Sequence, residues 1–507
     1  MLNFIDNLID RITMYRLTLY YLLFLLAAAA VLAFFGFLPF SPLALVYSTT
    51  VLVAACYLFN AIFAKVVGVE INIESAYITG LILALIISPN VGTYASILPF
   101  LLWASAWAMV SKFIINVGNK HLFNPAAFAV ALTSFTISRS ASWWVGTAAM
   151  LPFALVGAFL IVRKLRRFDL FLGFVVAALA AIAVLTFGQG SMPIALWRAI
   201  ISSPLIFFGS IMLTEPLTAP PKQDGRIAYG ILVGALFAPQ VHFGSFYLTP
   251  ELALLIGNVF SFVISPKGRF TMTLKEKRLV GNGVYDFVFV PEKPISFQPG
   301  QYMEWTLGHR PADSRGNRRY FTLASSPTEA AVRLGVKFYA QPSSFKRSLS
   351  AMKVGETVVA GQLAGDFVLP KDPRQKIAMI GGGIGITPFR SMIQYLIDRN
   401  ESRPIVLLYS NRTEDEIAYR EVFDSAERKL GIRTVYTLTD AERAPLDWGG
   451  RVGYFTAEDI RASVPDYKER KFYISGSHGM VEGFRKLLLT MGVPRRNIVT
   501  DFFPGLA

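Results

Sequence analysis

Residues 380–388, Ile380-Gly381-Gly382-Gly383-Ile384-Gly385-Ile386-Thr387-Pro388, place four glycines between an apolar run and a proline that opens a helix. Glycines here let the backbone approach a pyrophosphate, and the helix start offers unpaired N–H donors. Gly382, Gly383, Gly385 and Thr387 are therefore candidate dinucleotide contacts, although a glycine-rich turn can also be purely structural. Ser410, Asn411 and Arg412 follow the next predicted strand, where an arginine could take a ribose 2′-phosphate or the group could simply cap a helix. Two proline-bearing segments interrupt the apolar first half: His121-Leu122-Phe123-Asn124-Pro125-Ala126-Ala127 and Leu213-Thr214-Glu215-Pro216-Leu217-Thr218-Ala219-Pro220. A helix start of this kind attracts anions; an ordinary turn at a membrane edge is the competing reading.

Other chemistries lack material. Cys56 is the single cysteine, which excludes a four-thiolate iron–sulfur cluster, a Cys₄ zinc site and an intrachain disulfide in this chain. Four histidines, of which only His121 and His242 lie in the apolar half, leave little for paired haems. The net charge of +15, without a basic arm, suits anionic lipid headgroups and phosphate-bearing ligands.

The elements that must hold these residues fall into two halves. Residues 1–265 carry 21 charged side chains and residues 266–507 carry 62. The first half reads as a polytopic helical membrane domain, which rules out a purely soluble enzyme. About ten spans are expected: 17–39, 43–65, 75–89, 93–115, 123–137, 143–162, 169–188, 193–213, 226–240 and 248–265. Asp6 and Asp10 precede Arg11 and Arg16 with no small-residue cleavage site after them, so the first span reads as uncleaved. Lys and Arg concentrate on alternate connections, with Arg139 the exception, and place both termini in the cytoplasm. Two sets of five spans with opposite starting sides invite an inverted-repeat reading.

From 268 to about 370, alternating runs such as 270–274, 284–290 and 302–307, separated by turns, suggest a small β-barrel. From 374 to 507 strands alternate with helices expected from Pro388, Glu414 and Met480, the pattern of a doubly wound α/β domain.

The soluble half resembles the ferredoxin–NADP reductase superfamily. Five motifs carry the resemblance across 268–507: Phe297-Gln298-Pro299-Gly300-Gln301-Tyr302; Arg319-Tyr320-Phe321-Thr322; the glycine turn; Ser475-Gly476-Ser477-His478-Gly479-Met480; and Asp501-Phe502-Phe503-Pro504-Gly505. The resemblance implies an FAD-binding barrel and an NAD(P)-binding domain. Arg319 would pair with the FAD pyrophosphate, Phe321 would cover the isoalloxazine, Thr322 would bond near its reactive nitrogen, and Phe503 would lie near the ring. Ser475 stands where the family has a cysteine and, with Gly476 and Met480, would face the nicotinamide; Thr322 and Ser475 are the catalytic candidates. The second phosphate turn, 343–349, offers Ser344 and Lys346, the lysine pairing with the pyrophosphate or else belonging to a solvated basic face. NADH is weakly preferred over NADPH.

The membrane half is similar to the B subunit of sodium-pumping NADH:quinone reductase and the D subunit of the Rnf complex. The matching motifs are Phe123-Asn124-Pro125-Ala126-Ala127, Thr214-Glu215-Pro216-Leu217-Thr218-Ala219-Pro220, Gly225-Arg226 and Tyr229-Gly230. Those subunits carry flavin in a ten-helix fold, attached covalently to a threonine in a Ser-Gly-Ala-Thr segment that this sequence lacks. The resemblance then implies a noncovalent membrane flavin, FMN or another, near Asn124, Thr214, Thr218 and Arg226. The expectation is an inner-membrane oxidoreductase with its soluble module in the cytoplasm. It would pass electrons from NAD(P)H through FAD and the membrane flavin to a quinone or an extracytoplasmic, flavinylated carrier, with no iron–sulfur cluster and no other metal. The alternatives are a haem-bearing ferric reductase or NADPH-oxidase type and a transporter with a regulatory nucleotide-binding domain, lined by Glu215 or Arg198.

Overall fold

The computed structural model describes all residues but 1–8, 10, 11, 68–72, 90–92, 118–119, 266–268, 310–312, 314–315 and 503–507, and the side chains of 116, 117, 120, 121 and 502. Phe503 therefore lies outside the described residues. The chain forms two compact units, Met1–Gly268 and Arg269–Ala507.

In the first unit, apolar runs that satisfy their own backbone bonds become helices: α1 (Met14–Phe34), α2 (Pro42–Val67), α3 (Ile73–Ile86), α4 (Tyr94–Ile114), α5 (Pro125–Ile137), α6 (Leu151–Leu165), α7 (Phe168–Leu185), α8 (Met192–Ile201), α9 (Leu205–Met212), α10 (Gln223–Phe237) and α11 (Pro250–Ile264). Four of these, α1, α2, α4 and α7, are long and apolar enough to cross a bilayer, and α8 with α9 forms a fifth candidate bent by 58°. Phe34, Val66, Val184 and Phe187 point outward, as lipid-facing positions do.

Two of the expected spans are interrupted. The helix expected from 143 begins at Leu151, because Trp143 takes a left-handed conformation (φ 52°) and Trp144–Gly146 form a single tight turn. There Trp144 Nε1 donates to the carbonyls of Ala84 and Ile87, which gives the indole a reason to leave the helix. The span expected at 193–213 is broken at Ser202-Ser203-Pro204, where the proline cannot donate to the helix ladder. A π-helical turn, Phe208–Met212, follows the break.

Close packing of α7 against α10 rests on Gly230 and Gly234. A Cβ at Gly230 would stand 2.7 Å from Leu170 O, and one at Gly234 would stand 2.4 Å from Phe174 O. This is the small-residue spacing that lets two apolar helices bring their backbones together.

The second unit opens with a curled six-stranded antiparallel sheet: β1 (Arg269–Gly281), β2 (Val284–Pro291), β3 (Tyr302–Thr306), β4 (Arg318–Thr322), β5 (Val332–Lys337) and, after α12 (Ser344–Ala351), β6 (Thr357–Ala364). The strand order is β4-β3-β6-β1-β2-β5. The curl brings its two ends together just past β4, where Ala324 N–H donates to Arg333 O. Strand β2 departs from the alternation expected of it. Phe287 and Phe289 face the sheet's own core while Val284 and Asp286 are buried on the other face, so both faces are covered.

The remainder is a parallel sheet of order β10-β9-β8-β7-β11-β12, built from β7 (Ile377–Gly382), β8 (Ile405–Asn411), β9 (Arg433–Leu438), β10 (Arg451–Val452), β11 (Lys471–Gly476) and β12 (Ile498–Phe502). Its helices are α13 (Thr387–Arg399), α14 (Arg420–Leu430), α15 (Ala457–Ser463) and α16 (His478–Thr490). The helix expected from Glu414 starts at Arg420: residues 414–416 make one tight turn, and Tyr419 turns left-handed (φ 59°) before the helix begins. The strand order reverses between β7 and β11, which makes that crevice the topological switch point where ligands bind in open α/β sheets.

Candidate active site

Both halves of the switch point are shaped by glycine. Strand β7 ends at Gly382, Gly383 has a φ of +51°, and a tight turn, Gly383–Ile386, leads into α13 at Thr387. A Cβ on Gly385 would come within 2.6 Å of the Gly476 Cα, so the turn after β7 and the turn after β11 are in backbone contact. A Cβ on Gly382 would lie 2.0 Å from Met480 Sδ. Gly382, Gly385, Gly476 and Met480, singled out from two motifs nearly a hundred residues apart, meet here. Ser475 is buried on β11 between Gly381 and Asp501 of the neighbouring strands. Met480 N–H donates to Ser477 Oγ, which caps α16. The backbone N–H groups at the start of α13 and the close glycine contacts fit a dinucleotide pyrophosphate.

On the curled sheet, Arg319 is buried at the edge of β4. Its Nη1 donates to Gly316 O (3.2 Å) and Arg318 O (2.6 Å), its Nη2 is 3.9 Å from Asp313 Oδ1, and the guanidinium lies 5.3 Å from the Phe345 ring centre. Phe321 packs on the same ring, 5.9 Å centre to centre. At the start of α12, Ser344 N–H donates to Asp313 Oδ2 and Asp313 N–H donates to Ser344 Oγ, both at 2.9 Å. His309 Nε2 lies 2.8 Å from the same Ser344 oxygen. A guanidinium and a helix-start amide thus converge on a carboxylate, and that donor set fits a phosphate equally well.

Thr322 is buried with its Oγ1 unpartnered among the described residues. A buried orphan hydroxyl costs free energy unless a ligand satisfies it, which fits a flavin ring edge at this strand. Lys346 Nζ donates to Lys337 O at 3.0 Å and lies 5.0 Å over the Tyr339 ring. Asp313 and His309 were missed in the sequence because they belong to a loop without a periodic pattern. A carboxylate near an arginine in sequence was the only signal available.

At the far end of β8, Ser410 sits between Gly382 and Thr437 on the adjoining strands, and the mostly exposed Arg412 stands 3.9 Å from Asp440. Arg412 and Arg443 line an open groove of about 580 Å³ together with Glu414, Asp415 and Glu416. A 2′-phosphate here would meet two guanidinium groups and three carboxylates.

In the membrane unit the structure brings Asn124 and Thr218 together through Glu215. Asn124 Nδ2 donates to Glu215 Oε2 (2.8 Å), and Thr218 Oγ1 reaches the same oxygen (3.3 Å). Asn124 Oδ1 caps α5, and its N–H donates to Asn258 Oδ1, whose amide donates in turn to Tyr229 Oη (2.9 Å each for the last two). Thr214 bonds back to Ser210 O within its own turn, and Arg226 pairs with Asp169 at 2.7 Å and donates to Pro221 O. Two of the four expected flavin contacts, Asn124 and Thr218, thus share one carboxylate, while Thr214 and Arg226 bond elsewhere.

Comparison with known proteins divides the chain in the same way. Residues 379–486 match the oxidoreductase NAD-binding domain family, and residues 142–268 match the NQR2, RnfD, RnfE family. NADH-cytochrome b5 reductase 1 of Ajellomyces capsulatus is 27% identical over 259 residues, 48% of this chain and 82% of that protein. The glycine betaine monooxygenase reductase subunit of Chromohalobacter salexigens is 27% identical over 213 residues, covering 41% of this chain and 57% of that protein. Among solved structures, the flavohem-like FAD/NAD-binding domain of nitric oxide dioxygenase from Vibrio cholerae aligns at 22% identity and a TM-score of 0.41, over 46% of this chain and 98% of that domain. The cytochrome b5 reductase domain of Ulva prolifera nitrate reductase aligns at 21% identity and a TM-score of 0.41, over 47% and 98%. The chain therefore joins an NAD(P)H-dependent flavin oxidoreductase module to a membrane region of the NQR2, RnfD, RnfE type.

Proposed function

We propose that the protein is a membrane oxidoreductase that takes electrons from cytoplasmic NAD(P)H and delivers them to a quinone or to an extracytoplasmic carrier. The observation that carries this reading is the meeting of the Gly382–Gly385 turn with the Gly476–Met480 turn at the switch point, in one chain with a membrane region of that family. FAD, when bound, supplies the chemistry of accepting a hydride from the nicotinamide and releasing electrons one at a time.

The residues have separable tasks. Arg319 and the α12 start hold the FAD pyrophosphate, Phe321 covers the ring, and the Thr322 hydroxyl bonds at its edge. Gly382, Gly383, Gly385 and Thr387 admit the dinucleotide pyrophosphate, while Ser475, Gly476 and Met480 shape the nicotinamide side. Ser410 and Arg412 stand at the ribose side of the dinucleotide, with NADH the preferred donor.

Ten crossings in two inverted sets of five, with both termini in the cytoplasm, complete the proposed arrangement. A noncovalent flavin in the membrane unit also belongs to it, with Asn124, Thr214, Thr218 and Arg226 as its candidate contacts.

The test is the cofactor content of the detergent-purified protein with NADH-driven reduction of a water-insoluble quinone. Two flavins per chain with quinone reduction would establish the relay. One FAD with quinone reduction would leave direct transfer from the soluble module. A haem absorption band would replace this reading with a ferric-reductase type, and absence of NAD(P)H oxidation would point to a transporter.

A further inference from the structure

Buried charges are expensive, and where its two sheets meet the second unit gathers a polar network in which Asp286, Tyr419, Arg390 and Ser391 are buried and Glu329 and Arg333 half-buried. Asp286, fully buried on the outer face of β2, accepts from Arg333 Nη1 at 2.7 Å and from Tyr419 Oη at 3.1 Å. Arg333 Nε donates to Glu329 Oε1 at 2.9 Å. Arg390, on α13, binds Glu329 with both terminal nitrogens, Nη2 at 3.1 Å from Oε1, and stacks 5.7 Å over the Tyr419 ring. Its Nη1 also donates to the carbonyl of Ala324 at 2.9 Å, and the next residue, Ser391, donates through Oγ to Ser325 O at 2.6 Å. Gly335 closes the contact, since a Cβ there would stand 2.6 Å from Tyr419 Oη and 2.7 Å from Thr387 Cγ2.

The value of these groups lies in what they hold. Helix α13 carries the dinucleotide turn on its first residues and grips carbonyls 324 and 325 one turn later. Those carbonyls lie two and three residues beyond Thr322.

We propose that Arg390 and Ser391, braced by Glu329, are positioning residues that fix the register between the Thr322 strand and the dinucleotide turn, and so set the distance for hydride transfer. The inference rests on the module's NAD(P)H:flavin chemistry and is independent of the membrane route. Burial alone would raise the Glu329 carboxyl, but bonds and charge from Arg390, the Ser326 N–H and Arg333 hold it below the ordinary carboxylate range. The brace is therefore ionised at neutral pH.

The experiment uses the full chain in detergent, with Arg390→Ala, Ser391→Ala and Arg390→Lys, which keeps a charged donor for the Ala324 carbonyl and Glu329. Three quantities are read: the single-turnover rate of flavin bleaching by NADH, KM against kcat, and amide hydrogen exchange over 322–326 and 383–391. Arg390→Ala is expected to slow bleaching about tenfold or more, as a displacement of about 1 Å would, while KM moves less than about threefold. Exchange over 322–326 should accelerate, Ser391→Ala should show the same pattern more weakly, and Arg390→Lys should keep part of the rate that Arg390→Ala loses. Bleaching within about twofold of the parent in Ser391→Ala and in the flavin-retaining Arg390 variants would overturn the proposal. If Arg390→Ala loses its flavin, Ser391→Ala decides. If NADH does not bleach the parent, the oxidoreductase reading itself falls, and unchanged exchange over 322–326 would independently remove the tie.

Discussion

Gly385 shows how one missing side chain can hold a site together. Gly385→Ala would drive a methyl group into the Gly476 backbone, which cannot rotate away. We expect KM for NADH to rise about tenfold or more while FAD content stays at the parent level, checked by steady-state kinetics and flavin release. Thr322→Val removes a buried hydroxyl with no protein partner among the described residues, so stability should hold or rise slightly while NADH-driven bleaching slows, about tenfold on the scale of a lost positioning contact. Asp466 carries a pH prediction. The Arg470 hydrogen bond, assisted by Lys376, lowers its carboxyl from 3.8 to about 2. A depressed carboxylate contributes stability above its unfolded pKa and loses it as pH falls through the folded one. Asp466→Asn should therefore destabilise the second unit by about 1 kcal/mol at pH 7, after discounting for partial exposure, with the difference vanishing toward pH 2. Denaturant titrations at both pH values would show it. The glycine run was legible because its four glycines lie together in the sequence. The Glu329–Arg390 and Asp286–Tyr419 pairs span 61 and 133 positions, and the meeting of the two sheets brings them together. Their one local trace is an aspartate within the apolar run of β2.

At the scale of elements, apolar periodicity marked the long helices and strands such as β1–β3, β7–β9 and β11, whereas the short α12, α15 and β10 carried no such signal and element ends depended on tertiary partners. Helix α14 starts late because Tyr419 must reach Asp286, and α6 starts late because Trp144 bonds the end of α3. Neither partner is visible locally. The break between α8 and α9 was likewise hidden inside a continuous apolar run, although Pro204 marked it. Packing of α7 on α10 is more predictable, because Gly230 and Gly234 sit four apart on one helix face. Gly234→Leu should cost roughly 1–3 kcal/mol or more, since carbonyl and backbone atoms of α7 occupy the space. The thermal midpoint of the detergent-solubilised protein should drop. Ile231→Leu, at an exposed position of the same helix, is the control and should leave that midpoint nearly unchanged.

For the whole molecule, the charge division between halves announced two environments, and the two compact units follow it. The electron acceptor was not legible, because an apolar cleft and ordinary helix packing draw on the same residue types. Residues 269–507 expressed alone should bind FAD and reduce ferricyanide with NADH at a rate within about threefold of the full chain, yet fail to reduce a membrane quinone. Equal quinone reduction by both would remove any role for the first unit in electron delivery. Cys56, the single cysteine, is fully buried in α2. A bulky, water-soluble maleimide should leave the parent chain unmodified, so the parent already serves as a blank for site-directed labelling. One thiol introduced at exposed Leu446 and another at exposed Ser245 would report, in vesicles of known sidedness, which compartment each half of the chain meets.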